Sequence, residues 1–161
     1  MIMGLSRRGR RAERGSVTVE VAILAPVFIL LLGLAVTAGR AAVARSVVDS
    51  AAHDAARAAS VARTREDAMA EGRRRVAEVL ADEGIQCSPA ASVTLTGRLP
   101  DGRDITLDDA FDPWRVGELV FVVATVRCTV PLSDLWMPGT PGRITVVRDF
   151  VSPIDRFRGR Q

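Results

Sequence analysis

The sequence has no lysine, asparagine or tyrosine, one histidine, and two cysteines in 161 residues. A structural zinc site needs four nitrogen or sulfur ligands, and His53, Cys87 and Cys128 are three scattered candidates. There is no Gly-rich phosphate loop, no GxSxG elbow and no CxxC pair. Asp108, Asp109 and Asp112 offer acids, but no sugar-binding aromatic groove accompanies them. These shortages leave no metal, cofactor or small-molecule substrate to expect. The chain does not read as an enzyme.

Apolar residues make up 48% and charged residues 25%, the balance of one folded domain rather than a disordered tail. All 22 basic residues are arginine and alanine occurs 23 times, a bias of the kind a GC-rich coding sequence produces. Five arginines (7, 8, 10, 11 and 14) and one acid, Glu13, fall within residues 1–15. The remaining 146 residues hold 17 arginines against 18 acids. The basic character belongs to the N-terminus, so the charge does not indicate a nucleic-acid partner. Arg73-Arg74-Arg75 reads as a solvated helix face, since no aromatics interleave with it.

Residues 21–38 carry no charge. Including residues 17–20, the run reaches the length of about 20 residues that crosses a bilayer. The arginine cluster before it predicts a single pass, N-terminus cytoplasmic and C-terminus outside. Pro26 marks a candidate kink in this transmembrane helix. Two other readings stay open. The run is either a buried core helix or a signal peptide cut after Ala38, although it exceeds the usual apolar length of such peptides. Glu20 is the informative residue: a carboxylate near the end of an apolar helix either snorkels to the headgroups or finds a cation.

The segment RGSVTVEVAILAPVFILLLGL resembles the TadE/TadG-like family, the pseudopilins of tight-adherence (Flp-type) pilus systems. The resemblance rests on a basic leader ending in Gly15, small Ser16, Glu20 five residues after that glycine, and Ala25-Pro26 in the apolar run. It implies a prepilin peptidase cutting between Gly15 and Ser16, and Glu20 pairing with the new amine during assembly. The implied partners are the membrane, the peptidase, other pilin-like subunits and the pilus machinery. Val21 departs from the pattern, standing where an aromatic often follows the Glu. A weaker echo, residues 153–158, is similar to the terminal segment of actinobacterial members. The rival functions are an unprocessed signal-anchor protein with a ligand-binding outer domain, and a secreted protein released after Ala38.

Past Gly39 the helical pattern continues. Ala44, Val48, Ala51, Ala55, Ala58 and Ala62 recur at helical spacing, which predicts one helix over 17–62. Their small side chains suit either a neighbouring helix or, from Ala51 onward, this chain's own sheet. Arg45–Asp49 and Asp54–Arg57 are spaced as ion pairs, and His53 reads as solvated. Thr64 followed by Glu66 and Asp67 predicts a second helix over 65–82, closed by Gly84. Its expected apolar face is Met69, Val76, Val79 and Leu80.

The period then changes to two. Strands are predicted over 92–99 and 104–107 around Pro100-Asp101-Gly102, over 118–130, and over 143–151 after the 138–142 turn. The fold class is α+β: a long N-terminal transmembrane and stem helix, a second helix, and a small antiparallel sheet of three to four strands. The expected divisions are a leader at 1–15, a membrane helix at 16–39, a helical stem at 40–63 and an outer domain at 64–161. Outside the cytoplasm, Cys87 and Cys128 are most simply one disulfide, the alternative being two buried thiols. Trp114 and Trp136 lie in turn-rich connections and are expected to cap the end of a core, contact with a partner or membrane surface being the alternative.

Overall fold

The computed structural model describes residues 10–115, 117–133 and 142–155. Trp136, most of the 138–142 turn, Arg7, Arg8 and the residues beyond Asp155 lie outside the described residues. The first helix, α1, runs over Arg10–Val61, beginning before the predicted residue 17. Hydrophobic periodicity does not reach that far back, but Arg10, Arg11, Ala12, Glu13 and Arg14 are all good or fair helix formers. At 52 residues the helix is about 78 Å long.

The second helix, α2, occupies Arg65–Asp82 as predicted. Its start is fixed by Thr64, whose side chain accepts from the Asp67 N–H at 3.0 Å. Its end is a Schellman closure. Gly84 adopts φ +66°, its N–H donates to the Ala81 carbonyl at 3.1 Å, and the Ile85 N–H donates to Leu80 at 2.8 Å. Ala68, Gly72, Val76 and Leu80 form the buried face, with Met69 and Val79 packed at its margin.

The strands are β1 (Ser92–Arg98), β2 (Asp104–Ile105), β3 (Phe121–Pro131) and β4 (Arg143–Pro153), in the order β2-β1-β3-β4 and antiparallel throughout. The predicted boundaries move most at the end of β2 and the start of β3, while β1 stops at Arg98, β3 includes Pro131 and β4 runs on to Pro153. Leu107 is not in a strand: Thr106 caps a short helix, α3 (Leu107–Ala110), by accepting the Asp109 N–H at 3.1 Å. Glu118 precedes β3 because its N–H closes a turn onto the Arg115 carbonyl at 3.1 Å, beside Gly117 at φ +94°.

One sheet face carries Val122, Ala124, Val126 and Cys128 of β3, with Leu95 and Val146 directly opposite Ala124 and Cys128. The upper part of α1 and α2 cover this face, and all six residues are buried in the one core. From α1 the core takes Ala44, Val47, Val48, Ala51, Ala52, Ala55, Ala56 and Ala59. The apolar part of the buried stripe thus ends on Ala59, with Ser60 buried beside it; Ala58 and Ala62, predicted on the stripe, are only half-buried. A straight α-helix drifts against an alternating 4-3 spacing, which explains the one-residue shift.

The predicted ion pairs within α1 give way to other partners: Asp49 faces Arg148 of β4 at 3.9 Å, and Asp54 pairs with its neighbour His53 on α1 at 3.1 Å. Ser152 of β4 donates to Ser60 at 3.0 Å. His53, expected to be solvated, presents its ring edge-on to Phe150 with centroids 4.4 Å apart. Arg148, Phe150 and Ser152 alternate onto the helix-facing side of β4, so the strand runs alongside α1 in the same direction.

At the opposite end from the apolar half of α1, Phe111 caps the core at 5% exposure. Trp114, given that role from sequence, is 92% exposed; the adjoining short helix turns Phe111 inward instead.

Two glycines separate two reasons for lacking a side chain. A Cβ at Gly97 would meet the Ala110 Cβ at 2.6 Å and the Ile105 Cγ1 at 2.7 Å. At Gly72 the nearest atom is the flexible Leu95 Cδ1 at 3.1 Å. Gly97→Ala is expected to destabilise the fold by about 1–3 kcal/mol through overpacking. Gly72→Ala should stay within about 1 kcal/mol of wild type, because helix propensity offsets the contact. Chemical denaturation of both variants in detergent checks the difference.

Candidate functional site

Over residues 21–38 α1 is apolar on every side. Val21, Ile23, Leu24, Val27 and the consecutive residues Phe28, Ile29, Leu30, Leu31 and Leu32 are each at least half exposed. The most apolar stretch of the helix is long and apolar enough to cross a membrane, and none of it is buried by the rest of the chain. The reading as a core helix is therefore wrong for this segment. A helix apolar all round needs an apolar medium or other helices.

Local chemistry agrees with such a medium. Thr37 donates its hydroxyl to the Gly33 carbonyl at 2.9 Å, which satisfies it without water. Pro26 stands inside the helix, where it leaves the Ala22 carbonyl without its usual donor.

Gly15 and Ser16 lie in α1, a short way above Arg10. Glu20 is exposed on the same helix. Four residues separate Ser16 from Glu20, so the two share a face at a rise of about 6 Å. These three residues stand far below the domain: Ala41, the first buried residue of α1 from Val19 onward, is about 30 Å above Glu20 along the axis.

The two cysteines do come together. Cys87 and Cys128 form a disulfide with Cα atoms 5.2 Å apart. The Ser88 N–H donates to Thr129 at 2.8 Å, so the connection after α2 is fastened to β3 by two adjacent links. Both thiols are thereby removed as metal ligands, and among the described residues no group of three or more His, Cys, Asp or Glu could hold a metal ion.

The acids considered above have structural partners. Asp108 pairs with Arg65 at 2.9 Å, Asp109 accepts the hydroxyl of the α3 cap Thr106 at 2.8 Å, and Asp112 accepts the Trp114 N–H at 3.0 Å. Two arginines of the run are likewise paired along α2. Arg74 bridges Glu71 and Glu78, and Arg75 reaches Glu78 at 3.1 Å.

A feature the sequence did not signal lies where α1 meets the domain. A groove of about 710 Å³ is lined by Val36, Arg40 and Val43 of α1, Ile85 after α2, and Val130 and Leu132 around the end of β3. Its walls come from three distant segments, so no local motif marks it.

A family model described as TadE-like protein matches residues 15–57, in agreement with the resemblance noted in the sequence. No curated protein and no solved structure matches the chain.

Three surface carboxylates are held below their usual range. Hydrogen bonds from Arg75 and then Arg74 lower Glu78, the Arg103 N–H and guanidinium lower Asp101, and Arg98 lowers Asp104. A depressed carboxylate contributes stability above its unfolded value, and that contribution is lost as pH falls through the folded value. Acid should therefore weaken the domain modestly as pH drops below about 4, and less so in high salt. Arg98→Gln is expected to return Asp104 toward its ordinary value of about 3.9, as read by NMR titration of the carboxyl carbon.

Proposed function

We propose that the chain is a membrane-anchored, pilin-like minor subunit of a tight-adherence pilus or a related secretion assembly. The observation that carries this reading is the family match over 15–57, which begins at the glycine placed last in the leader. The match implies a pilin-like protein with an N-terminal apolar helix, and α1 has that form, uncovered on all sides by its own chain. The role is structural rather than enzymatic.

In this reading residues 1–15 are a cytoplasmic leader, 16–39 cross the membrane, 40–63 form the stem, and 64–161 complete a domain outside the cytoplasm. The arginines hold the leader on the cytoplasmic side. The disulfide suits an oxidising compartment on the other side. A prepilin peptidase cuts between Gly15 and Ser16. Glycine costs a helix interior about 1 kcal/mol relative to alanine, so α1 opens more readily at the scissile bond than on either side of it.

Cleavage leaves a cationic amine at Ser16, one turn below Glu20. An unpaired ammonium and an unpaired carboxylate are each costly at the edge of hydrocarbon, and joining them relieves both. A neighbour displaced by one turn along the axis presents its amine at the level of Glu20. The pair thus gives lateral helix packing a direction and a register.

Gly15→Leu is expected to block processing and leave a protein heavier by its leader. Intact mass of the native protein decides the matter: a mature chain starting at Ser16 supports the proposal. Retention of Met1 makes the protein an uncut signal-anchor, and a start at Gly39 makes it a secreted one.

Glu20→Ala should insert and be cut normally, because both steps depend on the leader, Gly15 and the apolar run. Its co-purification with other pilus components should fall on the order of tenfold or more, the loss of a paired buried charge. Glu20→Asp, one methylene shorter, should recover part of it. Co-purification of Glu20→Ala at the wild-type level rejects the pairing.

A further inference from the structure

The groove at the foot of the domain has walls from two regions that belong to different solvents. Val36 lies within the uncharged run, whereas Ile85, Val130 and Leu132 belong to the folded domain. That they line one cavity means the domain overhangs α1 at the level where the apolar run ends. Val43 continues the apolar strip of Val36 seven residues further on, past Arg40, and is 54% exposed. The strip of lipid-facing surface therefore rises into the domain rather than stopping at the first charge.

We infer that this groove takes a phospholipid from the leaflet beneath the domain, an inference that rests on the membrane-anchored reading above. The depth matches. Residues 19–38 account for about 30 Å of hydrocarbon, and the headgroup layer adds roughly 5–8 Å on each side. Val43 stands about 7 Å above Ala38, so the helix wall from Val36 to Val43 spans the headgroup layer and little more.

The order of chemistry also matches. Val36, Ile85 and Leu132 offer apolar wall, while Arg40, Gln86 and Ser133 supply polar atoms to the same cavity. A phospholipid presents acyl chain, glycerol esters and phosphate over a similar span. The volume of about 710 Å³ is that of a ligand-sized cleft and takes the headgroup, glycerol and upper acyl segment, while the remainder of the chains stays in the leaflet.

A neighbour's stem helix is the competing occupant, and it fits less well. A helix is a rod about 10 Å across that continues along its axis. Here the groove is closed from above, where Ala44 lines it and Val47 and Val48 are already buried against the chain's own domain. A lipid ends at its headgroup and needs no continuation.

The test uses the full chain in phosphatidylglycerol–phosphatidylcholine vesicles that contain a phosphatidylcholine with a photoactivatable acyl chain. After irradiation, labelled peptides are mapped by mass spectrometry. Labelling is expected both within 19–38 and on the domain peptides that contain Ile85 and Leu132. Val43→Glu, a change at an exposed position, should reduce the domain labelling on the order of tenfold, since a carboxylate is expensive among acyl chains. It should leave labelling of 19–38 unchanged. Val61→Glu, an equally exposed position at the far end of the stem, should change neither. Labelling confined to 19–38 overturns the inference and leaves the anchor standing. Absence of labelling in 19–38 overturns the anchor reading itself. A photoreactive residue at position 43 that crosslinks to a second chain rather than to lipid assigns the groove to a neighbour and also overturns the inference.

Discussion

The packing of alanines on the upper part of α1 sets the distances on which the rest of the molecule depends. Ala51, Ala52, Ala55, Ala56 and Ala59 are all fully buried, so α2 and the sheet approach the α1 backbone closely. Gly72 of α2 carries the approach further, its absent Cβ lying 3.7 Å from the Ala55 carbonyl. Small side chains give little apolar area each. The larger hydrophobes come from the other partner: Val76 and Leu80 on α2, and Leu95, Val122, Val126 and Val146 on the sheet. A larger residue in the alanine face would separate the layers and detach the polar contacts that α1 makes with β4.

The same helix meets two opposed demands. Over residues 21–38 it is apolar on every side; above Arg40 it is apolar on one side only. The change of pattern happens within a turn, without a break in hydrogen bonding. Nothing resembling a linker separates the apolar rod from the domain, because the domain's own core begins at Ala41.

What the residues disclosed in advance was governed by local chemistry. Thr64 and Gly84 bound α2 because a cap and a left-handed closure need only neighbours in sequence. The alternation of β3 was legible because Val122, Val126 and Cys128 repeat on one face, and the disulfide followed from compartment and from there being only two cysteines. Misplaced elements were those settled by contact. Leu107 alternates like a strand residue, yet Thr106 found a cap to make. His53 lies among charged residues on its helix, and only β4 brings Phe150 to it. Asp49 had Arg45 one turn away and met Arg148 across the layer instead. The groove was illegible for the same reason, since residues near 36–43, 85 and 130–132 become one surface only after folding. Gly15, Ser16 and Glu20 were read from a motif, and the family match over 15–57 rests on the same stretch of chain.

The parallel course of α1 and β4 has a mechanical consequence. Asp49, His53 and Ser60 meet Arg148, Phe150 and Ser152 in the same order along both elements. The lower end of α1 and the end of β4 at Pro153 therefore point opposite ways out of the domain. A pull between the lower end of α1 and that far end acts along the strands, in shear. The β3–β4 ladder, in register from Phe121↔Pro153 to Pro131↔Arg143, then shares the load across all its hydrogen bonds at once instead of opening them one after another. The disulfide anchors β3 to the connection after α2, so strain reaching β3 passes into a covalent link. The fold is braced for traction in the one direction that a tethered subunit would meet it.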